Sequence, residues 1–282
     1  MDYTLGIYEK ALPDDLSWQE KFEICKEYGY DFLEISIDES DKRLARLEWS
    51  KEERLDLLTV SRKLGVPFGS MCLSGHRKYP LGSKDPQVRE RSLDIAQKAI
   101  DLAVDLGIRI IQLAGYDVYY EESTSESKKY FLENLSKITY MAAAKGVALA
   151  FETMETEFMD TVKKAMVYVE KIDSPYLGIY PDCGNLNNAS ILYGSDYSED
   201  FQAGKGHIFA LHLKETKPGL YRNMLFGQGR VDFDQVIFQA RKQGINRFVT
   251  EFWYLGNENY LDDVRHQSSF MREKLDGYFK EV

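Results

Sequence analysis

A single (β/α)8 barrel spanning residues 1–282 is the architecture this sequence predicts, on three observations. Short apolar runs alternate eight times with amphipathic helical stretches, no linker or change of composition divides them, and no glycine-rich phosphate turn follows the first run. Strands that alternate with helices imply a parallel sheet, and eight such units are what a closed barrel requires. An open doubly wound sheet is expected to carry GxGxxG after its first strand, where this chain has 9-EKALPDD-15.

Tyr3 to Tyr8 reads as the first strand. After 13-PDDLS-17, Trp18, Phe22, Ile24 and Cys25 keep helical spacing up to Tyr28, and Gly29 stops the helix. Strand 31–36 and helix 50–65 follow; Ser50 with Glu53 forms a capping box and Gly65 a C-terminal stop. Strand 67–73 leads to a long helix, Asp85 to Leu106, ended by Gly107 before strand 108–114. Helix Ser125 to Lys145 ends at Gly146 and feeds strand 147–152; helix Asp160 to Ile172 feeds strand 177–182. A shorter helical piece near 198–203, strand 207–212, helix 233–244, strand 247–252 and a last helix over 260–280 complete the pattern.

With 44% hydrophobic residues over 282 positions, the chain can bury a full core. A net charge of −10 argues against a nucleic-acid partner, because phosphate-backbone recognition rests on lysine and arginine. No leader pattern and no apolar run of ~20 residues is present, which predicts a soluble cytoplasmic protein with no membrane partner. Cys25, Cys72 and Cys183 lack CxxC spacing and read as buried thiols.

In such barrels chemistry sits at the C-terminal strand ends. Those ends present Glu152 on strand five, Asp182 on strand six, His212 on strand seven and Glu251 on strand eight, each about one βα unit from the last. Alone, His212 reads as a half-buried histidine near a strand end. Four ligand-capable residues on four successive strands read differently. Three carboxylates converging on one mouth repel unless a cation joins them, and a carboxylate-rich set with one imidazole suits a single divalent ion, Zn2+ or Mn2+ first, with Mg2+ or Co2+ as alternatives.

The blocks 5-LGIYEKALP-13, 31-DFLEISIDESDKRLARLEWS-50, 71-MCLSGHRKYPLGS-83, 110-IIQLAGYDVYY-120, 180-YPDCGNL-186, 212-HLKETKPG-219 and 226-FGQGRVDF-233 closely resemble the L-ribulose-5-phosphate 3-epimerases of bacterial L-ascorbate and pentose catabolism. These enzymes, also called L-xylulose-5-phosphate 3-epimerases, are xylose-isomerase-like barrels, and the similarity runs from the first strand to the last helix. The resemblance implies a metal held by the positions matching Glu152, Asp182, His212 and Glu251. It implies a ketopentose phosphate as substrate, epimerised at C3 by removal of a proton beside the C2 carbonyl and its return from the opposite face through an enediolate. Glu152 and Glu251 are then the acid–base pair, with Asp182 and His212 as ligands only.

Substrate contacts are expected from Asn185, from His76 and Arg77 in the loop after strand three, and from Trp253 as an apolar cover. Lys214 and Lys217 are expected at the phosphate. Some related epimerases of non-phosphorylated ketohexoses place a histidine where Asn185 stands; asparagine can bond a hydroxyl or simply shape a turn beside Gly184. Glu9 and Glu34 are read as strand-end residues that bind backbone or lysine. The competing readings are an aldose–ketose isomerase, a 3-epimerase of a non-phosphorylated ketose, and a non-catalytic sugar-phosphate-binding barrel; a barrel endonuclease fits the acidic charge poorly. Related barrels often pair through their helical faces, so a homodimer is expected.

Overall fold

The structure is a computed structural model that describes residues 2–280. Eight parallel strands, β1 (Thr4–Tyr8), β2 (Phe32–Ile37), β3 (Phe68–Leu73), β4 (Ile110–Ala114), β5 (Ala148–Glu152), β6 (Leu177–Ile179), β7 (Leu211–Lys214) and β8 (Arg247–Glu251), form one sheet in the order β6-β5-β4-β3-β2-β1-β8-β7. Parallel bridges from Ile179 to Ile208 and from Asp182 to His212 join the two ends of that order and close the barrel.

Ten α-helices surround the strands among the described residues: α1 (Trp18–Glu27), α2 (Asp41–Leu44), α3 (Lys51–Leu64), α4 (Pro86–Leu106), α5 (Ser125–Ala144), α6 (Val162–Ile172), α7 (Cys183–Tyr193), α8 (Tyr197–Ala203), α9 (Phe233–Lys242) and α10 (Tyr260–Phe279). Their starts are chemically marked. Ser17 with Glu20 and Ser50 with Glu53 form capping boxes, and Asp85 caps α4 ahead of Pro86 at the first helical position. Gly65 and Gly107 end α3 and α4 in the left-handed region (φ 75° and 77°), where a Cβ would be strained.

Alternation along each strand divides the interior. Leu5, Ile7, Leu33, Ile35, Leu149 and Phe151 pack outward into the layer between strands and helices. Each such side chain contributes about 1.5–3 kcal/mol when fully buried. Tyr8, Phe32, Cys72, Ala150, Tyr180, Ala210 and Val249 fill the barrel itself. The Phe32 ring fits there because β1 and β3 pass it with glycines: a Cβ on Gly6 or Gly69 would fall 2.2 or 2.1 Å from its ring atoms.

Several expectations shift. Regular pairing in β7 begins at Leu211 rather than 207, with Ile208 and Phe209 tied to Ile179 by isolated backbone pairing. β6 stops at Ile179, so Asp182 lies beyond the strand, where its carboxylate caps α7 by accepting from the Asn185 N–H at 2.6 Å. Helices α2 and α7 have no counterpart among the elements that the sequence predicts. Glu34 sits inside β2, not at its end. All three cysteines are free and buried. No described helix is long and apolar enough to cross a membrane.

The first βα connection is pinned by charge. Glu9, fully buried just after β1, takes two 2.7 Å hydrogen bonds from Arg46, one from Lys21 at 3.0 Å and one from the Ser36 N–H at 2.9 Å, with Arg43 2.9 Å away. Burial pushes this carboxyl up, but the hydrogen bonds and charge of Arg46, with Arg43 and Lys21, outweigh it and hold the group at about 2. The anchored segment carries Tyr8 and Lys10 to the barrel mouth.

Candidate metal centre and active site

Parity in the strands delivers the predicted ligands to one point. Glu152 ends β5, Glu251 ends β8, His212 follows Leu211 in β7, and Asp182 reaches the same level from the start of α7. All four are buried, and one ligand atom from each lies within 4.8 Å of the others, a group that could hold a metal ion. His212 Nδ1 faces this group, 2.7 Å from Glu251 Oε2 and 3.9 Å from Glu152 Oε1.

The electrostatics call for positive charge. Burial, reinforced by the charge of Glu251, pushes Glu152 up to about 7, and burial pushes Asp182 well above the carboxylate range. Burial acts the same way on Glu251, but the charges of Lys214 and His212 outweigh it and hold that carboxyl low. For His212, burial disfavours the cation, yet the charges of Glu34 and Glu251 win and raise it well above its ordinary value. Asp182 Oδ2 is buried, and its one charged neighbour of opposite sign among the described residues is Lys214, with Nζ 3.1 Å away. Three buried carboxylates that share a single lysine, with an imidazole nitrogen aimed among them, fit a divalent cation.

Above the group opens a small cavity of ≈ 60 Å³, which Arg77, Asn185, Lys214 and Trp253 line together with Lys10 and Arg222. The structure thus brings four of the six expected substrate contacts to one place. Lys214 differs from its expected role: it is buried, with Nζ 2.9 Å from Asn185 Oδ1 as well as beside Asp182, so its charge is spent on the ligand group. Asn185 does not shape a turn. It is the third residue of α7, and its Nδ2 donates to the Thr153 carbonyl at 2.7 Å.

His76 and Lys217 do not reach the cavity. Lys217 is exposed in the turn it forms with Leu220. His76 is buried, with Nε2 3.1 Å from the Ser92 carbonyl on α4, and burial holds it down to about 4. Because its folded value lies below the ordinary 6.5, folding resists protonation: its contribution is full above about pH 6.5 and is lost as pH falls toward 4. Between pH 7.5 and 5 the wild-type protein is expected to lose roughly 2 kcal/mol more stability than His76→Gln, whose turnover stays within about twofold. Urea midpoints at the two pH values check this; equal losses would remove the buried-histidine account.

Spacing and motif reading missed Glu34, Gln112, Lys10 and Arg222. Gln112 Nε2 lies 3.2 Å from His212 Nδ1, and Glu34 Oε1 lies 2.6 Å from His212 Nε2. A carboxylate at an inward position of a buried strand was the available signal for Glu34, and position directly after β1 was the signal for Lys10. Nothing in the sequence pointed to Arg222, which a long loop brings back to the mouth.

Residues 22–274 match the family of xylose isomerase-like TIM barrels. L-ribulose-5-phosphate 3-epimerase UlaE of Escherichia coli O139:H28 is 45% identical over 272 residues, covering 96% of this chain and 94% of that protein. Among solved structures, D-psicose 3-epimerase in the presence of D-fructose aligns with TM-score 0.81 at 14% identity, over 96% of this chain and 99% of that one. The IolI protein with a bound zinc atom aligns with TM-score 0.79 at 18% identity, over 99% and 100%. These two distant likenesses speak for the barrel, the UlaE match for the branch within it: the chain is an isomerase of the carbohydrate-epimerase kind and belongs to the L-ribulose-5-phosphate 3-epimerase family of xylose isomerase-like TIM barrels.

Proposed function

We propose that this barrel interconverts L-xylulose 5-phosphate and L-ribulose 5-phosphate by moving a proton at C3, with Glu152 and Glu251 as the acid–base pair. The observation that carries the reading is their placement: two buried carboxylates from separate strands, grouped with Asp182 and His212, at the floor of a cavity whose walls bear cations. Identity of 45% to UlaE over nearly the whole chain supports the substrate. One glutamate removes the C3 proton as a carboxylate; the other, protonated, returns a proton to the opposite face, and the direction of reaction exchanges their roles. Glu152, Asp182, His212 and Glu251 would hold a divalent ion, zinc or manganese by the donor set, and when bound it supplies polarisation of the C2 carbonyl and stabilisation of the negative charge that follows proton loss. Lys214 keeps Asp182 and Asn185 in place, and Trp253, whose ring meets Tyr8 edge-on at 6.2 Å, shields the site from water.

The phosphate end is assigned to Arg77, with Lys10 and Arg222 beside it. Arg77 lies 4.8 Å over the Tyr119 ring, its Nε is buried without an acceptor, and its nearest carboxylate oxygen, on Glu39, is 3.9 Å away. A guanidinium held over an aromatic ring, with no described carboxylate closer than 3.9 Å, suits a phosphate. Arg77→Ala is expected to raise KM for the phosphorylated pentulose at least tenfold, roughly the 1.5–3 kcal/mol of a charged hydrogen bond, and to leave KM for the free sugar nearly unchanged. Equal effects on both substrates would move the phosphate elsewhere.

The reading as a whole is tested by assaying phosphorylated and free L-pentuloses before and after chelation. Epimerisation of the phosphorylated pair, lost with chelator and restored by zinc or manganese, is the expected result. An aldose phosphate as product would mark an isomerase instead. A homodimer belongs to the same proposal, supported by the exposed apolar residues Ile191 and Leu192 at the end of α7; sedimentation at micromolar concentration checks it.

A further inference from the structure

We infer that Glu34 is a positioning residue for His212: it fixes which ring nitrogen is left to face the other three ligands, and so sets how tightly the site holds its cation. This rests on the metal reading above and goes beyond it, because Glu34 neither lines the cavity nor belongs to the ligand group.

The geometry is directional. Glu34 projects into the barrel from β2 and is fully buried. Its Oε2 accepts from Ser70 Oγ on β3 at 2.6 Å and from the Tyr180 hydroxyl, just past β6, at 3.1 Å. Its Oε1 lies 2.6 Å from His212 Nε2. Two hydroxyls supply their own hydrogens to Oε2, and a carboxylate offers only acceptors, so opposite ionised Glu34 the hydrogen between Oε1 and the ring belongs to Nε2. Nδ1, the atom that faces Glu251 and Glu152, donates to Glu251 at 2.7 Å when no cation is present; with a cation among the ligands it gives up that hydrogen and presents its lone pair. The Tyr180 ring meets His212 edge-on at 5.0 Å and Tyr8 lies at 6.0 Å, so the imidazole is walled into this orientation. A carboxylate on the far nitrogen also makes the near one a stronger donor.

Side chains on β2 and β3 and the residue after β6 hold the proton end of a group on β7, and the free end is presented to the cation. A role confined to packing would require only that something of the right size fill the space beneath His212. The positioning role requires an acceptor there.

The test compares wild-type protein with Glu34→Gln, which preserves shape and removes the carboxylate. Zinc dissociation constants are measured by competition with a chromophoric chelator, and thermal melts of the metal-stripped proteins report folding separately. The expected result is a 10- to 100-fold weaker zinc affinity in the variant. If wild type binds zinc and Glu34→Gln binds within about threefold of it, Glu34 is merely structural while the metal reading stands. If wild type itself fails to bind zinc, both fall. Should the variant not fold, Ser70→Ala takes its place, since it removes a hydroxyl that holds Glu34 and touches none of the four ligands. Zinc affinity at least about threefold weaker is expected, and an unchanged affinity overturns the inference.

Discussion

Glu152→Gln and Glu251→Gln are each expected to lower kcat for pentulose-phosphate epimerisation on the order of a thousandfold, within the range that a positioned acid or base contributes. Glutamine keeps an amide oxygen at the ligand position, so metal content measured alongside separates lost proton transfer from lost metal. Asp182→Asn and His212→Gln are expected to behave differently. Their deficit should shrink as zinc or manganese is added, because those two residues hold the ion and move no proton. If excess metal rescued the glutamate variants equally well, or if either retained near wild-type turnover, the two-carboxylate mechanism would be wrong.

The second large effect is on folding. Glu9→Gln leaves Lys21, Arg43 and Arg46 around a neutral side chain; Asp14 and Asp38 lie 2.8 and 3.6 Å from Arg43, but Lys21 and Arg46 depend on Glu9. Removing one partner from such a buried cluster typically costs about 3–5 kcal/mol, a large part of the stability of a protein this size. The same residue predicts acid sensitivity. Its folded value near 2 lies below the ordinary 4.5, so its contribution is fully present above about pH 4.5 and is lost as pH falls toward 2, roughly 3 kcal/mol in all. Denaturant melts at pH 7 and pH 3 check both statements. A loss below about 1 kcal/mol at pH 7 would mean that water already compensates the three cations.

The barrel and its four central side chains were legible in the sequence because strand parity and the βα repeat are local signals. Glu152, His212 and Glu251 each follow an apolar run that must be a buried strand. What escaped depends on contacts between distant segments or on loop direction. Helix α7 escaped because 183-CGNLNNASILY-193 has the composition of a loop; Asp182 starts it by capping, in the same position that makes it a ligand candidate. Glu34 meets its histidine across 178 residues, a pairing that no spacing rule displays. His76 and Arg77 are neighbours in one short 3-10 turn, yet one turns toward α4 and the other toward the cavity. Residue type alone could not separate them.

The central claim is proton exchange at C3, and the direct measurement is solvent labelling. The metal-loaded protein is incubated with L-xylulose 5-phosphate in deuterium oxide and the sugar carbons are examined by NMR. The account predicts deuterium at C3 of both pentulose phosphates, abolished by chelation; both glutamate variants lose epimerisation, and the one lacking the base that faces C3 of L-xylulose 5-phosphate loses exchange into that sugar as well. Unlabelled C3 at full epimerisation, or an aldose phosphate as the product, would contradict it.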